Sequence, residues 1–569
     1  MIESVLGIHG FSASSDRPLH DTGASIVVEG KVIASVNEER LTRVKKDGSF
    51  PNNSIKEVFK ISNIRPEDID LVAMSDETPL WQLWNISKYS FKTLMKTGIF
   101  MRRYFKESLK RTKEFRRELP NNLKSKKVIF VEHHKAHAAS AFFTSPYNQA
   151  TIVTLDGMGD YCIGGCLAIG NNGYIEILKR TNGFYSPGIF YMLITSLLGF
   201  KPGHHEGKVT GLASYGDWKP AYAIMEEIIS YDQTSNDFFS RLIPEAMNRF
   251  SLTQDEEYSL EMIRKKLDGY SKEEIASAAQ KRLEDVVTRY IHDCIIKTGI
   301  RNIVLAGGIF GNVKLNQKIF EMDCVDGLYI HPAMNDSGLA TGAALFSAQN
   351  NGFSKPKFLS NVFLGPEYSD KEILKTISNS GLKYSKIENT PEKIAEYIAE
   401  DYIVGHYHGR MEYGPRALGN RSILASAVDP TINSSLNQRL KRTEFMPFAP
   451  SILEEYADDY LHGYNEKQIA SQFMTITYDV KDIFKRKAPA AVHVDGTARP
   501  QVVKKEDNPR FYDIIKKYHK KSDIPMVINT SFNMHEEPII CTPSDAIRAY
   551  KQGAVDVLVM NNFLVVKTP

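Results

Sequence analysis

Short apolar runs closed by glycine recur along this chain and predict its architecture before any single motif does. Residues 4–10 read as an extended strand, followed by a polar loop that ends in His20 and Asp21. The stretch ASIVVEGKVIAS then gives two β runs around Glu29-Gly30, a two-residue glycine-bearing connection of the kind that closes a hairpin. Residues 150–170, ATIVTLDGMGDYCIGGCLAIG, repeat that logic as an apolar strand, a glycine-rich turn and a second strand. Residues 302–317, NIVLAGGIFGNVKLNQ, carry an apolar strand into a double glycine and then a helix. Two strand–glycine turns and one strand–glycine–helix element are what a duplicated nucleotide-binding fold needs. Glycine lacks the Cβ that would keep backbone N–H groups away from phosphates. Gly157, Gly159, Gly307 and Gly308 are accordingly candidate nucleotide-binding residues, together with Asn312 of the third element.

The remaining pattern divides the chain. Residues 222–300 read as a largely helical insertion packed on the first domain. Between residues 343 and 371 proline, glycine, serine and asparagine cluster, which places a domain boundary near 355–365. Beyond it a helix-period stretch at 391–401 alternates with short strands at 402–406, 524–528 and 555–560. The expected fold class is α/β in two domains, residues 1–355 and 356–569.

Composition narrows the class of protein. A chain of 569 residues exceeds one ordinary core. Its 42% apolar and 24% charged residues fit a soluble globular protein. Cys162, Cys166, Cys294, Cys324 and Cys541 are odd in number and scattered, which argues against a disulfide framework and for a reducing, cytoplasmic setting. No run of about eighteen uncharged apolar residues predicts a membrane span. MIESVLGIHG, with an early acid and no basic region, reads as a first strand and not a signal peptide. A formal net charge of +3 gives no global attraction to nucleic acid. Residues 88–127 are strongly basic, either as a solvated helix face or as a docking surface for an acidic polymer, a phosphate-bearing substrate or a membrane face.

Two constellations carry chemistry. In EHHKAHAAS, His133 and His137 stand four apart, so a helix would present both imidazoles on one face to a single metal. Two histidines do not complete a site. Asp156 and Asp336 both end strand-like segments beside small residues where a metal could approach, and a His2Asp2 set would suit iron(II), zinc or manganese. Surface or capping histidines are the bland alternative. In the second half, Arg410, Arg416 and Arg421 surround a Gly-Pro turn, followed by Lys441, Arg442, Arg499 and the stretch 529–533, NTSFN. Arginine binds phosphate or carboxylate oxygens in pairs, so this set points to a polyanion pocket unless each arginine forms a surface ion pair.

The motifs HHKAHAAS, EGKVTGLASYG, GPRALGNRS, PFAPS, TARPQ and NTSFN, in this order, resemble the O-carbamoyltransferase family, which includes enzymes acting on nodulation factors, tobramycin and cephalosporins. The resemblance implies an actin/sugar-kinase-like duplicated N-terminal domain with a helical insertion. It implies a smaller α/β C-terminal domain with a twisted sheet, like the threonylcarbamoyl-adenylate synthases. It implies that ATP with Mg2+ and carbamoyl phosphate form carbamoyl-adenylate, whose carbamoyl group passes to a hydroxyl of a sugar or natural product. One divalent metal is implied, foremost Fe2+ with Zn2+ or Mn2+ as alternatives, on His133, His137, Asp156 and Asp336. His20 and Asp21 match the family's first-loop pair at the acceptor hydroxyl, and Lys45 its lysine after the EERLTR stretch. Arg416, Lys441, Arg442, Arg499, Asn529 and Ser531 match its carbamoyl phosphate and nucleotide site. One departure stands out: Met446 precedes PFAP where related sequences often have arginine, and Arg442 would have to substitute. Rival readings are threonylcarbamoyl transfer to tRNA, a kinase of the sugar-kinase fold and an inactive binding protein. The acceptor pocket would fall on residues 11–19, 184–200 and the basic stretch.

Overall fold

The computed structural model describes residues 3–10, 20–75, 115–242, 260–442 and 445–566. The loop 11–19 and residues 88–114 of the basic stretch lie outside the described residues. The chain forms two compact units: Met1–Glu38 with Lys46–Leu359, and Glu39–Lys45 with Ser360–Pro569.

In the first unit, β1 (Ser4–His9), β2 (Gly23–Val28), β3 (Lys31–Asn37), β4 (Leu71–Met74) and β5 (Lys127–Phe130) make one five-stranded sheet. Its order is β3-β2-β1-β4-β5, antiparallel from β3 to β1 and parallel from β1 to β5. A second sheet is built from β6 (Gln149–Leu155), β7 (Ile163–Asn171) and β8 (Tyr174–Asn182). After a small ribbon, β9 (Ser230–Asp232) and β10 (Asp237–Phe239), it is completed by β11 (Asn302–Ala306) and β12 (Gly327–Ile330). Its order is β8-β7-β6-β11-β12, with the same antiparallel and parallel pairings. The topology is thus written twice, and the duplicated actin/sugar-kinase-like fold expected of the sequence is present. Even the hairpin turns correspond. Glu29-Gly30 joins β2 to β3 and Asn172-Gly173 joins β7 to β8, all four residues with positive φ, the backbone a two-residue hairpin turn requires.

The two halves exchange helices. The helix His133–Thr144 follows β5 of the first sheet but packs on β6 and β11 of the second, whereas Leu339–Asn350 follows β12 of the second and packs on β1, β2 and β4 of the first. The two helices also pack on each other, and a Cβ on Gly342 would lie 2.7 Å from the Ala136 carbonyl carbon. Only glycine permits that approach. The expected helical insertion is realised as Lys219–Ile228 and the 27-residue Lys272–Thr298, started by a Ser271/Glu274 capping box and ended by left-handed Gly299. The β9–β10 ribbon interrupts it, because the Asp232 carboxylate accepts the Thr234 and Ser235 N–H groups and turns the chain at left-handed Asn236. Residues 243–259 lie outside the described residues.

The second unit contains β13 (Lys383–Lys386), β14 (Val404–Tyr407), β15 (Arg421–Ala425), β16 (Pro450–Leu453), β19 (Gln501–Val503), β20 (Met526–Ser531), β21 (Val557–Met560) and β22 (Phe563–Val566) in one mixed sheet. The order is β13-β22-β21-β14-β15-β20-β16-β19, and β17 (Tyr478–Asp479) and β18 (Thr497–Ala498) pair separately. Residues 39–45 are anchored in this unit. Arg40 donates to the Gly414 carbonyl (2.7 Å), Arg43 donates to the carbonyls of Pro538 and Ile539 (both 2.7 Å), and Leu41 packs on Met411, Ala417, Ile539 and Cys541. Among the described residues no helix is long and apolar enough to cross a membrane.

Candidate metal centre and anion site

His133 and His137 lie one turn apart at the start of their helix. Glu132 caps that helix by accepting the His134 N–H (2.9 Å), and the Asp160 carboxylate accepts the His133 N–H (2.9 Å), so the first turn is held at two points. Asp156 follows β6 and Asp336 follows β12, strands that run in the same direction on either side of β11. Both carboxylates therefore emerge at the carboxyl end of the parallel part of the sheet, where open α/β sheets bind ligands. His137 Nε2 lies 3.2 Å from Asp156 Oδ2 and 3.4 Å from Asp336 Oδ1, and His133 Nε2 lies 3.8 and 3.7 Å from the same atoms. One donor atom from each of the four residues falls within 4.8 Å of all the others.

The carboxylates and imidazoles of this cluster hold one another charged. Burial disfavours a charged His137, but hydrogen bonds to Asp156 and Asp336 outweigh it and hold the imidazole up at about 9. Burial likewise opposes ionisation of Asp156 and Asp336, yet the two imidazoles keep both carboxyls well below their usual range. His133 Nε2 is buried with no hydrogen-bond partner. Two imidazole nitrogens, one of them this orphaned atom, and two carboxylate oxygens fit a divalent ion at bonding distances of about 2.0–2.2 Å. The middle histidine of the motif is different. His134 is fully buried, its nitrogens meet Thr154 Oγ1 (2.8 Å) and the Ile163 carbonyl (3.0 Å), and burial pushes it down to about 3.

The glycine turns converge here. A Cβ on Gly159 would stand 2.6 Å from His133 Cδ2, and one on Gly308 3.1 Å from Asp156 Oδ1. Gly307 has φ +106° and a Cβ there would lie 2.6 Å from the Leu155 carbonyl carbon. The Gly157 N–H donates to Asp156 Oδ1 (2.6 Å). These glycines border the carboxylate–imidazole cluster. The Asn312 side chain lies in a polar network with Gln280 Oε1 (2.8 Å) and Thr210 Oγ1 (3.3 Å) and caps the helix Val313–Phe320 through Leu315 N–H (3.0 Å).

His20 and Asp21 join the same centre. His20 Nδ1 is 3.1 Å from Asp21 Oδ2 and 3.8 Å from Asp336 Oδ2, so Asp336 faces the metal-type histidines with one oxygen and His20 with the other. Asn335 Nδ2 donates to Asp21 Oδ2 (3.0 Å), and Asp21 itself has left-handed φ. The His20 side chain is 48% exposed; desolvation lowers it, but Asp21 and Asp336 prevail and raise it to about 9. Lys45 is exposed and belongs to the second unit, whereas its neighbour Lys46 belongs to the first. Lys46 donates to the Gly203 carbonyl, and its ammonium acts electrostatically on both His20 and Asp21. Two adjacent lysines gave no sequence signal to choose between them.

In the second unit the basic residues divide by role. Arg421 is fully buried, donates to the carbonyls of His408 (2.8 Å), Gly409 (3.0 Å) and Pro366 (3.2 Å), and stacks 3.8 Å from the Tyr407 ring centre. Arg410 donates to the Leu364 carbonyl (2.8 Å). Both are framework residues. Arg442 donates to Ser531 Oγ (3.2 Å) and to Asn533, which joins Lys441–Arg442 to the end of β20. Lys441 is exposed, Arg416 and Arg499 are half-buried, and Met446 is half-buried. Asn529 is buried and its Nδ2 donates to the Ala417 carbonyl (3.3 Å), beside Arg416. Sequence reasoning passed over Gln501 and Glu412, both buried beside these segments.

The chain matches "Carbamoyltransferase N-terminus" over residues 10–345 and "Carbamoyltransferase C-terminus" over residues 395–567. An uncharacterized protein of Methanocaldococcus jannaschii is 33% identical over 559 residues, 96% of this chain and 98% of that protein. Nodulation protein NolNO of Sinorhizobium fredii is 31% identical over 563 residues, 96% of this chain and 79% of that protein. Among solved structures, (R)-2-hydroxyglutaryl-CoA dehydratase component A of Acidaminococcus fermentans aligns at 15% identity with a TM-score of 0.32, over 60% of this chain and 97% of its own.

Proposed function

The chain belongs to the carbamoyltransferase family, and we propose that it is an ATP-dependent O-carbamoyltransferase using carbamoyl phosphate. The observation that supports this most is the sharing of Asp336 between the His133–His137–Asp156 cluster and the His20–Asp21 pair. An acceptor hydroxyl and an activated carbamoyl group need a proton acceptor and a carbonyl-polarising site within reach of one another.

In the second unit, Arg416, Lys441, Arg442 and Arg499 neutralise phosphate charge while carbamoyl phosphate, ATP and water give carbamoyl-adenylate, pyrophosphate and phosphate. In the first unit, Asp21 holds the Nδ1–H of His20, and in the fraction of the imidazole that is neutral below its raised pKa, Nε2 takes the proton of the acceptor hydroxyl as the carbamoyl carbon passes from the adenylate to that oxygen, releasing AMP. Lys46, facing His20 and Asp21, is the lysine best placed to meet negative charge on the departing phosphate. A divalent ion held by His133, His137, Asp156 and Asp336 would supply Lewis-acid polarisation of the carbamoyl carbonyl. The imidazole and carboxylate donors are equally compatible with iron(II), zinc and manganese, and the family resemblance puts iron(II) first among them. The acceptor class is a hydroxyl of a sugar or a sugar-bearing natural product, and Mg2+ accompanies ATP.

The test is pyrophosphate release from ATP, which should require carbamoyl phosphate, followed by AMP formation that requires an alcohol drawn from a pooled library. Pyrophosphate release indifferent to carbamoyl phosphate would overturn the donor. A His20→Ala variant that forms adenylate and still transfers at the normal rate would overturn the assignment of the base.

A further inference from the structure

Four separated segments of the second unit meet at one buried amide. Gln501 opens β19, a strand whose three residues are all buried. Its Oε1 accepts from Ser451 Oγ (2.7 Å) and Asn529 Nδ2 (2.9 Å), while its Nε2 donates to the Leu418 carbonyl (3.1 Å). Asn529 Nδ2 also reaches the Ala417 carbonyl (3.3 Å). From the other side, buried Glu412 accepts the N–H groups of Leu418 (2.8 Å), Asn420 (2.7 Å) and Arg421 (3.2 Å) on one oxygen. The peptide between Ala417 and Leu418 is therefore held at its carbonyl and at its N–H, and the next carbonyl is held by Gln501. Arg416 is the residue directly before this pinned plane, and Arg499 lies two residues before Gln501.

We propose that Gln501 is a positioning residue that sets the backbone from which Arg416 reaches a phosphate. The proposal rests on the assignment of that arginine to the carbamoyl phosphate site. The chemistry explains why an amide stands at a buried strand position. One end must accept from Ser451 and Asn529 while the other donates to a carbonyl, which neither a carboxylate nor an alkyl side chain does. A paired arginine–phosphate contact is geometrically specific, and the groups of a binding site have to be held to within about half an ångström.

The experiment is a double-mutant cycle on pyrophosphate affinity, measured by calorimetry on the full chain. Gln501→Leu should weaken pyrophosphate binding tenfold or more, and in an Arg416→Ala background the same substitution should change affinity less than twofold further. Gln501→Leu with unaltered affinity, or with a full independent effect in the Arg416→Ala background, overturns the proposal, since a general loss of packing is not expected to vanish with one arginine. Arg416→Ala with undiminished affinity overturns the underlying assignment and the proposal with it. Should Gln501→Leu fail to fold, Ser451→Ala, which removes one hydroxyl from the same amide, is read in the same cycle at smaller amplitude.

Discussion

Gly157 and Gly159 stand two apart in one turn, yet an added methyl group should be harmless at one and damaging at the other. At Gly157 a Cβ would meet Met192 Sδ at 3.7 Å, an ordinary contact. At Gly159 it would lie 2.6 Å from Cδ2 and 2.8 Å from Cγ of the His133 ring. Carbon atoms pack no closer than about 3.5 Å, so Gly159→Ala has to drive the ring back by roughly 0.9 Å. Nε2 is bonded to Cδ2 and moves with it. Metal–ligand distances tolerate only about 0.2 Å, and disturbing the support of a ligand commonly lowers metal affinity about 10–100-fold. That is about 1.4–2.7 kcal/mol at 1.36 kcal/mol per decade. Gly159→Ala should therefore lose at least tenfold in Zn2+ or Co2+ affinity, measured by competition with a chelating dye. Gly157→Ala should stay within about twofold, since it keeps the N–H that binds Asp156 Oδ1. Cobalt absorption should change in shape only for Gly159→Ala. The reverse result, metal affinity intact in both and ATP affinity lowered in both, would refute the metal-shaping role and return the turn to phosphate binding.

Metal at a hundredfold excess over its Kd should raise stability by about 2.7 kcal/mol. His137→Ala and Asp336→Ala should abolish the accompanying rise in Tm, as followed by calorimetry. Lys46→Met should lower kcat/KM for transfer tenfold or more, whereas Lys45→Met should keep it within about threefold; equal losses would refute the choice between them. Arg421→Lys should destabilise the protein by about 2–4 kcal/mol in urea unfolding, because buried carbonyls lose donors and the Tyr407 ring loses its planar partner. Burial, with Glu506 adding to it, pushes Asp507 up to about 6. The folded state therefore holds that proton more tightly than the unfolded one. Its stabilising contribution is complete below about pH 4 and is lost as pH rises through about 6. Asp507→Asn should thus gain Tm over the wild type between pH 5 and 7 and show no gain near pH 4.

The duplicated half was legible because each of its signals is local. Glycine-bearing hairpins and apolar strands ending in carboxylates can be read a few residues at a time, and His133 and His137 share a helix face by spacing alone. What joins Asp156 to Asp336 is not local, since β6 and β12 are brought side by side only through β11. The second unit was harder. Several of its strands are two to four residues long and carry no measurable period. Arginine misled for a physical reason: its fork suits any pair of oxygens, and backbone carbonyls present such pairs as readily as a phosphate does. Arg421 and Arg416 stand five apart around the same Gly-Pro turn, and no composition or spacing separates the one buried under Tyr407 from the one left half-buried. Burial decides between them. A guanidinium enclosed among carbonyls builds the loop, and the loop it builds, gripped by Glu412 and Gln501, is what can aim a neighbouring guanidinium at an anion.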